Sequence, residues 1–361
     1  MINMNEKVGG VMCKKINYAK QLLSALPRAD LGFFPTPMYK LENISKMLDI
    51  NLYVKRDDFT GKNLFGGNKT RKLEYLIGKA LEDKCEYVFT YGATQSNHAM
   101  QTVWASVSNQ LKPVLYLTAV VEPDKNDIKS NLLLDKVFDA EIYIINLQDN
   151  ESFAEADIRS LKTGREHLKR LESDGHKCMN IPMGGANEIG SAGYIGGYIE
   201  LYEQMSELDV QLDYLYHATG SGGTMAGLAA GQKLIGTDTT IQSIVVLDIR
   251  EDYLEKKAAL ANATLEYIQA DLKVEPGDFN IRTEFYAPGY ECPNAKATEA
   301  IKLLAKQEGL LLDPVYTGKA FAALLHDVRS GIISKGSNVA FLHTGGATAL
   351  FAEKKIIGDI L

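Results

Sequence analysis

The amino-acid sequence predicts an α/β protein in which parallel β-sheet is covered by helices. Two observations support this prediction. Short apolar runs rich in β-branched and aromatic residues recur along the chain, and longer stretches with helical periodicity separate them. The predicted strands are Leu52 to Lys55, Tyr87 to Tyr91, Val114 to Leu117, Glu141 to Ile145, Tyr214 to Ala218, Ser243 to Leu247 and Val339 to His343.

The length of the chain, 361 residues, is sufficient for two lobes. A strand-helix series fills residues 82–182 and is long enough to form a lobe of its own. The glycine-rich segment 183–187 is typical of a sharp crossing, here back to the larger sheet. We therefore expect residues 82–182 to form a small domain, inserted in a large domain made of residues 1–81 and 183–361.

Composition and charge argue against several classes of function. A formal net charge of −7 gives no support to binding of nucleic acid or an anionic membrane. The four cysteines are widely spaced and the histidines lack metal-site spacing, so we predict neither a disulfide framework nor a metal site. The N-terminal segment has no long apolar core, which argues against a signal peptide or membrane span. We expect a cytoplasmic protein.

Two lysines stand close together after a glycine pair. Asn68 is placed to cap a helix, and the three-residue spacing puts Lys69 and Lys72 on one face of it. Two ammonium groups in one site, partly desolvated, would lower the pKa of a lysine and free its amine to attack a carbonyl group. A solvated basic helix face explains the same spacing equally well.

Two further turns join a strand to a helix. Residues 92–98 follow the strand at Tyr87 and end in Ser96, Asn97 and His98, where a helix N-terminus suits a carboxylate and the Ser96 hydroxyl could move a proton. Ordinary helix capping explains Ser96 and Asn97 as well. Residues 220–224 resemble a phosphate-binding loop, with a tight turn as the plain alternative.

Several segments in a fixed order resemble one family, the 1-aminocyclopropane-1-carboxylate deaminases and D-cysteine desulfhydrases, which are fold-type II pyridoxal-phosphate enzymes. The resemblance covers nearly the whole chain, and it implies two open, twisted, mostly parallel sheets flanked by helices, pyridoxal 5'-phosphate as cofactor, a small amino acid as substrate, and a homodimer. The segments are Phe34 to Pro37, Lys55 to Asp58, Gly66 to Glu74, Gln95 to His98, Pro182 to Asn187, Gly220 to Gly227, Ala287 to Tyr290, Asp313 to Lys319, and His343 to Leu350.

The resemblance also implies roles for individual residues. Lys69 matches the Schiff-base lysine, Lys72 the lysine that reaches the cofactor phosphate, and Asn97 the asparagine that contacts the ring oxygen. Ser96 matches the nucleophile position of the deaminases, and together with Asn97 and His98 the positions that receive the substrate carboxylate. The phosphate loop comprises Gly220, Ser221, Gly222, Gly223 and Thr224, and the tyrosines on the substrate side are Tyr290 and Tyr316.

Two threonines favour the desulfhydrase branch. Deaminases of this family carry Glu where Thr317 stands and Leu where Thr344 stands, whereas desulfhydrases carry Thr at both positions. A carboxylate beside the pyridine nitrogen favours its protonation and deepens the electron sink, while the hydroxyl of Thr317 would hydrogen-bond a neutral ring. Loss of a thiolate needs a weaker electron sink than opening of a cyclopropane ring does. The resemblance therefore implies β-elimination of D-cysteine, with Lys69, Ser96 and Tyr316 as the catalytic residues.

Two departures from the family pattern leave the identity of the substrate undecided. Met100 stands where many relatives carry Arg, and Glu291 stands where Gly is usual; both flank the expected substrate site. The alternatives are a lyase on another β-substituted amino acid such as cysteate, a 1-aminocyclopropane-1-carboxylate deaminase, and a non-catalytic binder of a phosphate ligand. A dinucleotide oxidoreductase would depend only on residues 220–223 and Asp248.

Overall fold

The computed structural model describes residues 4–63, 65–119 and 122–352. Its strands are β1 (Met38–Lys40), β2 (Asn51–Lys55), β3 (Tyr87–Ala93), β4 (Lys112–Ala119), β5 (Glu141–Asn146), β6 (Cys178–Asn180), β7 (Tyr214–Thr219), β8 (Thr240–Val245), β9 (Asn280–Arg282) and β10 (Asn338–Leu342). Its helices are α1 (Met4–Ser24), α2 (Glu42–Leu48), α3 (Asn68–Glu82), α4 (Asn97–Val107), α5 (Ser130–Val137), α6 (Phe153–Ser173), α7 (Glu188–Glu207), α8 (Gly223–Ile235), α9 (Tyr253–Tyr267), α10 (Ala295–Glu308) and α11 (Thr317–Arg329).

The strands form two sheets. The larger has the order β1-β2-β10-β7-β8-β9, and only its edge strand β1 runs antiparallel to its neighbour. The smaller has the order β5-β4-β3-β6 and is parallel throughout. The predicted α/β class with mostly parallel sheets is confirmed.

All strands of the smaller sheet lie within the predicted insertion of residues 82–182. The chain leaves that sheet after β6, passes through the glycine-rich segment at Met183, and returns through α7 to β7 of the larger sheet. The crossing at 183–187 is therefore where the sequence predicts it. The division into two domains with the boundaries given above stays a prediction.

Each of the seven predicted strands is present, with small shifts at the ends. The largest shift is at β8, which begins at Thr240, before the predicted Ser243. The short strands β1, β6 and β9 were not predicted, because three residues are too few to show an alternating pattern.

A buried ionic network fixes α3 against the larger sheet and α7. The Arg71 guanidinium donates to Asp57 Oδ2 over 2.7 Å and to Glu200 Oε1 over 2.8 Å, and the Lys55 ammonium group also pairs with Glu200. Burial raises the pKa of Glu200, but Arg71 and Lys55 outweigh that effect and bring it to about 2. Gly193 of α7 permits this close packing, since a Cβ there would lie 2.2 Å from the Arg71 carbonyl oxygen.

Within the described ranges, no helix combines the length and apolar character that a membrane crossing requires. The same part of the chain contains no group of three or more His, Cys, Asp or Glu side chains arranged to hold a metal ion.

Candidate active site

A cavity of about 630 Å³ lies where strands of both sheets end. Its lining includes the residues at or just after the carboxyl ends of β3, β7, β8 and β10, together with the first turns of α3, α4 and α8. Crevices at the carboxyl ends of parallel strands are the usual ligand sites of open α/β sheets. The predicted site residues that line it are Lys69, Lys72, Ser96, Asn97, His98, Gly220, Ser221, Gly222, Thr224, Tyr290, Tyr316 and Thr344.

Lys69 lies in the first turn of α3, with its Nζ 3.1 Å from Asn68 Oδ1. Burial lowers the pKa of its ammonium group to about 8, so the amine is available for attack on a carbonyl group at a mild pH. The predicted capping role of Asn68 is wrong: Gly67 is the N-cap, and the Asn68 side chain instead donates to Thr224 Oγ1 over 3.0 Å.

Lys72 and the loop before α8 form a pocket that suits an anion. Burial, together with Lys69 and Lys257, holds the pKa of Lys72 well below its ordinary value. The Lys72 ammonium donates to Gly184 O over 3.1 Å, and a Cβ on Gly223 would lie 2.8 Å from its Nζ. Gly222 has a φ of 87°, which favours glycine. The N-terminus of a thirteen-residue helix and a buried lysine together suit a phosphate dianion.

Ser96 and the start of α4 suit a carboxylate. Ser96 is the N-cap, and its Oγ accepts from Ala99 N over 3.2 Å, so the hydroxyl proton remains available to a ligand. Among the described residues, none accepts a hydrogen bond from the backbone N–H of Asn97 or His98. Capping and ligand binding are therefore compatible at Ser96.

The His98 imidazole is buried and neutral. Burial and the two nearby lysines hold its pKa well below the ordinary value, and its Nε2 lies 2.8 Å from Thr90 Oγ1. Because the Thr90 hydroxyl donates to Ile181 O over 3.0 Å, His98 Nε2 carries the proton of this pair. The group that His98 can offer to a carboxylate is therefore its backbone N–H and not a charged ring.

Tyr290 and Tyr316 form the opposite wall. Their hydroxyl oxygens lie 2.7 Å apart, and their rings meet edge to face with centroids 5.9 Å apart. Burial raises the pKa of both phenols, so both stay protonated at neutral pH. The pair can therefore donate one hydrogen bond towards a ligand.

The two predicted threonines differ in placement. The Thr317 hydroxyl donates to Asp313 Oδ1 over 2.6 Å and accepts from Asp313 N over 2.8 Å, and Thr317 does not line the cavity. The predicted contact between Thr317 and the cofactor ring is thus not supported, because its proton is already used to hold the turn before α11. Thr344 lines the cavity, and its hydroxyl forms no hydrogen bond to another described residue.

Other features differ from the expectations. Met100 is buried and does not line the cavity, so it does not flank the substrate directly. Glu291 does line it. Sequence reasoning missed Asp157 of α6, whose carboxylate accepts from Thr118 Oγ1 over 2.6 Å, and Asn131 of α5, which holds Asn97. Neither of these two residues belongs to a recognisable local motif.

The model of the pyridoxal-phosphate dependent enzymes matches residues 29–345 of this chain. The chain therefore belongs to that family, and it has the fold-type II architecture described above. Pyridoxal phosphate is the cofactor of the family, which agrees with a reactive amine beside a phosphate-binding loop.

Similar proteins come from both branches named in the sequence analysis. D-cysteine desulfhydrase from Serratia proteamaculans is 35% identical over 335 residues, which are 92% of this chain and 98% of the relative. A Pyrococcus furiosus protein, provisionally named 1-aminocyclopropane-1-carboxylate deaminase, is 37% identical over 335 residues, or 92% of this chain and 95% of the relative. The crystal structure of a 1-aminocyclopropane-1-carboxylate deaminase homologue is 34% identical to this chain, with a TM-score of 0.82, and covers 92% of this chain and 96% of that one.

The residues present fit the cofactor. The amine of Lys69 suits an aldehyde. Buried Lys72 and the adjacent loop, in which Gly223 leaves room beside the Lys72 ammonium group, suit a phosphate. Lys69 would hold the aldehyde carbon, while Lys72 and the loop 220–224 would hold the phosphate. The side-chain Nδ2 of Asn97 would donate to the ring oxygen.

Proposed function

We propose that this enzyme catalyses β-elimination of D-cysteine, which with water gives pyruvate, ammonia and hydrogen sulfide. The observation that carries the proposal is Thr344, which lines the cavity and whose hydroxyl has no hydrogen-bond partner among the described residues. A hydroxyl donates to a neutral pyridine nitrogen without protonating it, and a moderate electron sink is sufficient for loss of a thiolate.

Pyridoxal phosphate, when bound, supplies the electron sink that stabilises negative charge at Cα. The protein orients the substrate for this chemistry. The backbone N–H groups of Asn97 and His98 and the Ser96 hydroxyl bind its carboxylate at the positive end of α4. This anchor would fix the orientation of the substituents on Cα, and hence which bond breaks.

Lys69 and Tyr316 carry out the proton transfers. The Lys69 amine, with a pKa lowered to about 8, takes the proton from Cα. The phenol of Tyr316, paired with Tyr290 at 2.7 Å, is protonated and can donate to the departing sulfur. The 2-aminoacrylate that is released hydrolyses to pyruvate and ammonia.

A second candidate, 1-aminocyclopropane-1-carboxylate deamination, is favoured by the Pyrococcus furiosus relative. Cytoplasmic location, which was expected from the N-terminal segment and the cysteines, and a homodimer, which the resemblance implies, stay predictions.

An assay of products separates the two activities. The purified, cofactor-loaded enzyme is supplied in parallel with D-cysteine, L-cysteine and 1-aminocyclopropane-1-carboxylate, and sulfide, pyruvate and 2-oxobutyrate are measured. We expect sulfide and pyruvate from D-cysteine, loss of both in Lys69→Ala, and reduced sulfide release in Thr344→Leu. If only 2-oxobutyrate appears, the D-cysteine proposal is wrong.

A further inference from the structure

The charged side chains in the described cavity lining are two lysines and three acidic residues. Lys69 and Lys72 are the cationic side chains among the described lining residues, and the other charged ones are Asp157, Asp248 and Glu291. The proposed function assigns both lysines to the cofactor. No cationic side chain of the described lining then remains to bind an anionic group of the substrate.

Glu291 has an unusual backbone conformation for its residue type. Its φ is 56°, in the left-handed region, where a side chain other than that of glycine, asparagine or aspartate is uncommon. Among the described non-glycine residues with positive φ, only Glu291 lines the cavity. Unfavourable local geometry that coincides with a ligand cavity points to a role in binding.

The Glu291 carboxyl group has no protein partner in the described chain, whether by hydrogen bond or ion pair. Nearby Lys319 is committed elsewhere, because its Nζ donates to Gly289 O over 2.8 Å and Tyr286 O over 3.3 Å. Burial raises the pKa of Glu291 to about 7, and Lys319 only partly opposes this. A cation or hydrogen-bond donor on the ligand would stabilise the carboxylate that burial disfavours.

The carboxyl group lies on the substrate side. Glu291 directly follows Tyr290 in the chain, and it raises the pKa of both Tyr290 and Tyr316 through its charge. These tyrosines face the departing group in the proposed reaction. Asp157 reaches the same cavity from α6 of the smaller sheet.

We propose that Glu291 selects the β-substituent of the substrate: it favours substituents that end in an amine or another hydrogen-bond donor and disfavours those that end in a sulfonate or carboxylate. This inference rests on the proposed β-elimination and names its substrate class, with 2,3-diamino acids as the charged members. For 2,3-diaminopropionate, Cα loses its proton to Lys69 and the bond from Cβ to the ammonium nitrogen breaks, with the electron pair leaving on nitrogen as ammonia. Water then converts 2-aminoacrylate to pyruvate and a second ammonia.

The test compares D-2,3-diaminopropionate with D-cysteate, which has the opposite charge on its β-substituent. Binding is measured by titration of the cofactor absorbance, and turnover by pyruvate release, in wild type, Glu291→Gln and Glu291→Gly. The glycine variant suits the positive φ and is expected to fold. Asp209→Asn is the matched control, because Asp209 is an exposed carboxylate with a φ of 55°.

We expect the wild type to prefer the diamino acid, and both Glu291 variants to lower the ratio of the two affinities by about tenfold, the weight of one partly buried ion pair. The change should lie mainly in KM. A wild type that prefers cysteate, or a ratio that neither variant changes, would overturn the inference. Sulfide release from D-cysteine is measured in parallel. If D-cysteine is turned over but the Glu291 variants leave the ratio of affinities unchanged, only the role of Glu291 is contradicted. If the variants change that ratio but D-cysteine releases no sulfide, only the D-cysteine proposal is contradicted.

Discussion

Asn131 Nδ2 donates to Asn97 Oδ1 over 2.9 Å, and this contact orients a carboxamide that faces the cavity. Thr348 Oγ1 donates to the same oxygen over 3.1 Å. Because both donors occupy the oxygen end, the Nδ2 end of Asn97 is left to donate to a ligand. Asn131 does not line the cavity and acts only through Asn97.

Replacement of Asn131 is expected to weaken cofactor binding. In Asn131→Ala the Asn97 carboxamide loses one of the two bonds that orient it, and we expect the Kd for pyridoxal phosphate to rise by about tenfold. Titration followed by cofactor absorbance measures this, with the exposed Asn126→Ala as control. An unchanged Kd would show that Thr348 alone is sufficient.

Lys72→Met should stabilise the protein without its cofactor and weaken its binding of the cofactor. Burial, Lys69 and Lys257 lower the pKa of Lys72 below its ordinary value. A charged Lys72 therefore disfavours the folded state at neutral pH, and replacing this lysine with an apolar side chain should raise the Tm. Affinity for pyridoxal phosphate should fall by at least about tenfold, while affinity for pyridoxal, which lacks the phosphate, should not change. Equal losses for both ligands would contradict a phosphate contact.

The rate at which the protein without its cofactor takes up pyridoxal phosphate should rise with pH. Burial lowers the pKa of Lys69 to about 8, so the fraction of free amine increases through that pH and is already high well below the ordinary lysine pKa. Stopped-flow absorbance gives the rate, and pyridoxal phosphate with Lys69→Ala gives the blank. A midpoint near the ordinary lysine value would refute the lowered pKa.

Arg71→Met should lower the free energy of unfolding by about 3–5 kcal/mol, because it leaves Asp57 and Glu200 as buried charges without their main partner. Chemical denaturation measures the loss. Arg329→Met is the matched control, since Arg329 and its partner Glu299 are both exposed and their pair contributes little. Similar losses in the two variants would contradict the importance of the buried network.

Much of the fold could be predicted from residues alone. The seven longer strands each contain a short segment rich in apolar, β-branched and aromatic residues, which is a local signal, and the glycine-rich segments mark turns. The short strands β1, β6 and β9 each form by pairing with the edge of a longer strand, so no local sequence pattern predicts them.

The sequence by itself determined the α/β class and the resemblance to pyridoxal-phosphate enzymes, and it predicted the reactive lysine with its phosphate loop, because each of these depends on contiguous motifs. Only the tertiary structure decided which side chains face the cavity. Asp313 accepts the Thr317 hydroxyl proton, Asn131 orients the Asn97 amide, and Glu291 lies in the lining without a partner among the described residues. Such choices depend on the direction of a side chain and on hydrogen-bond partners that the fold brings together, which spacing along the chain does not encode.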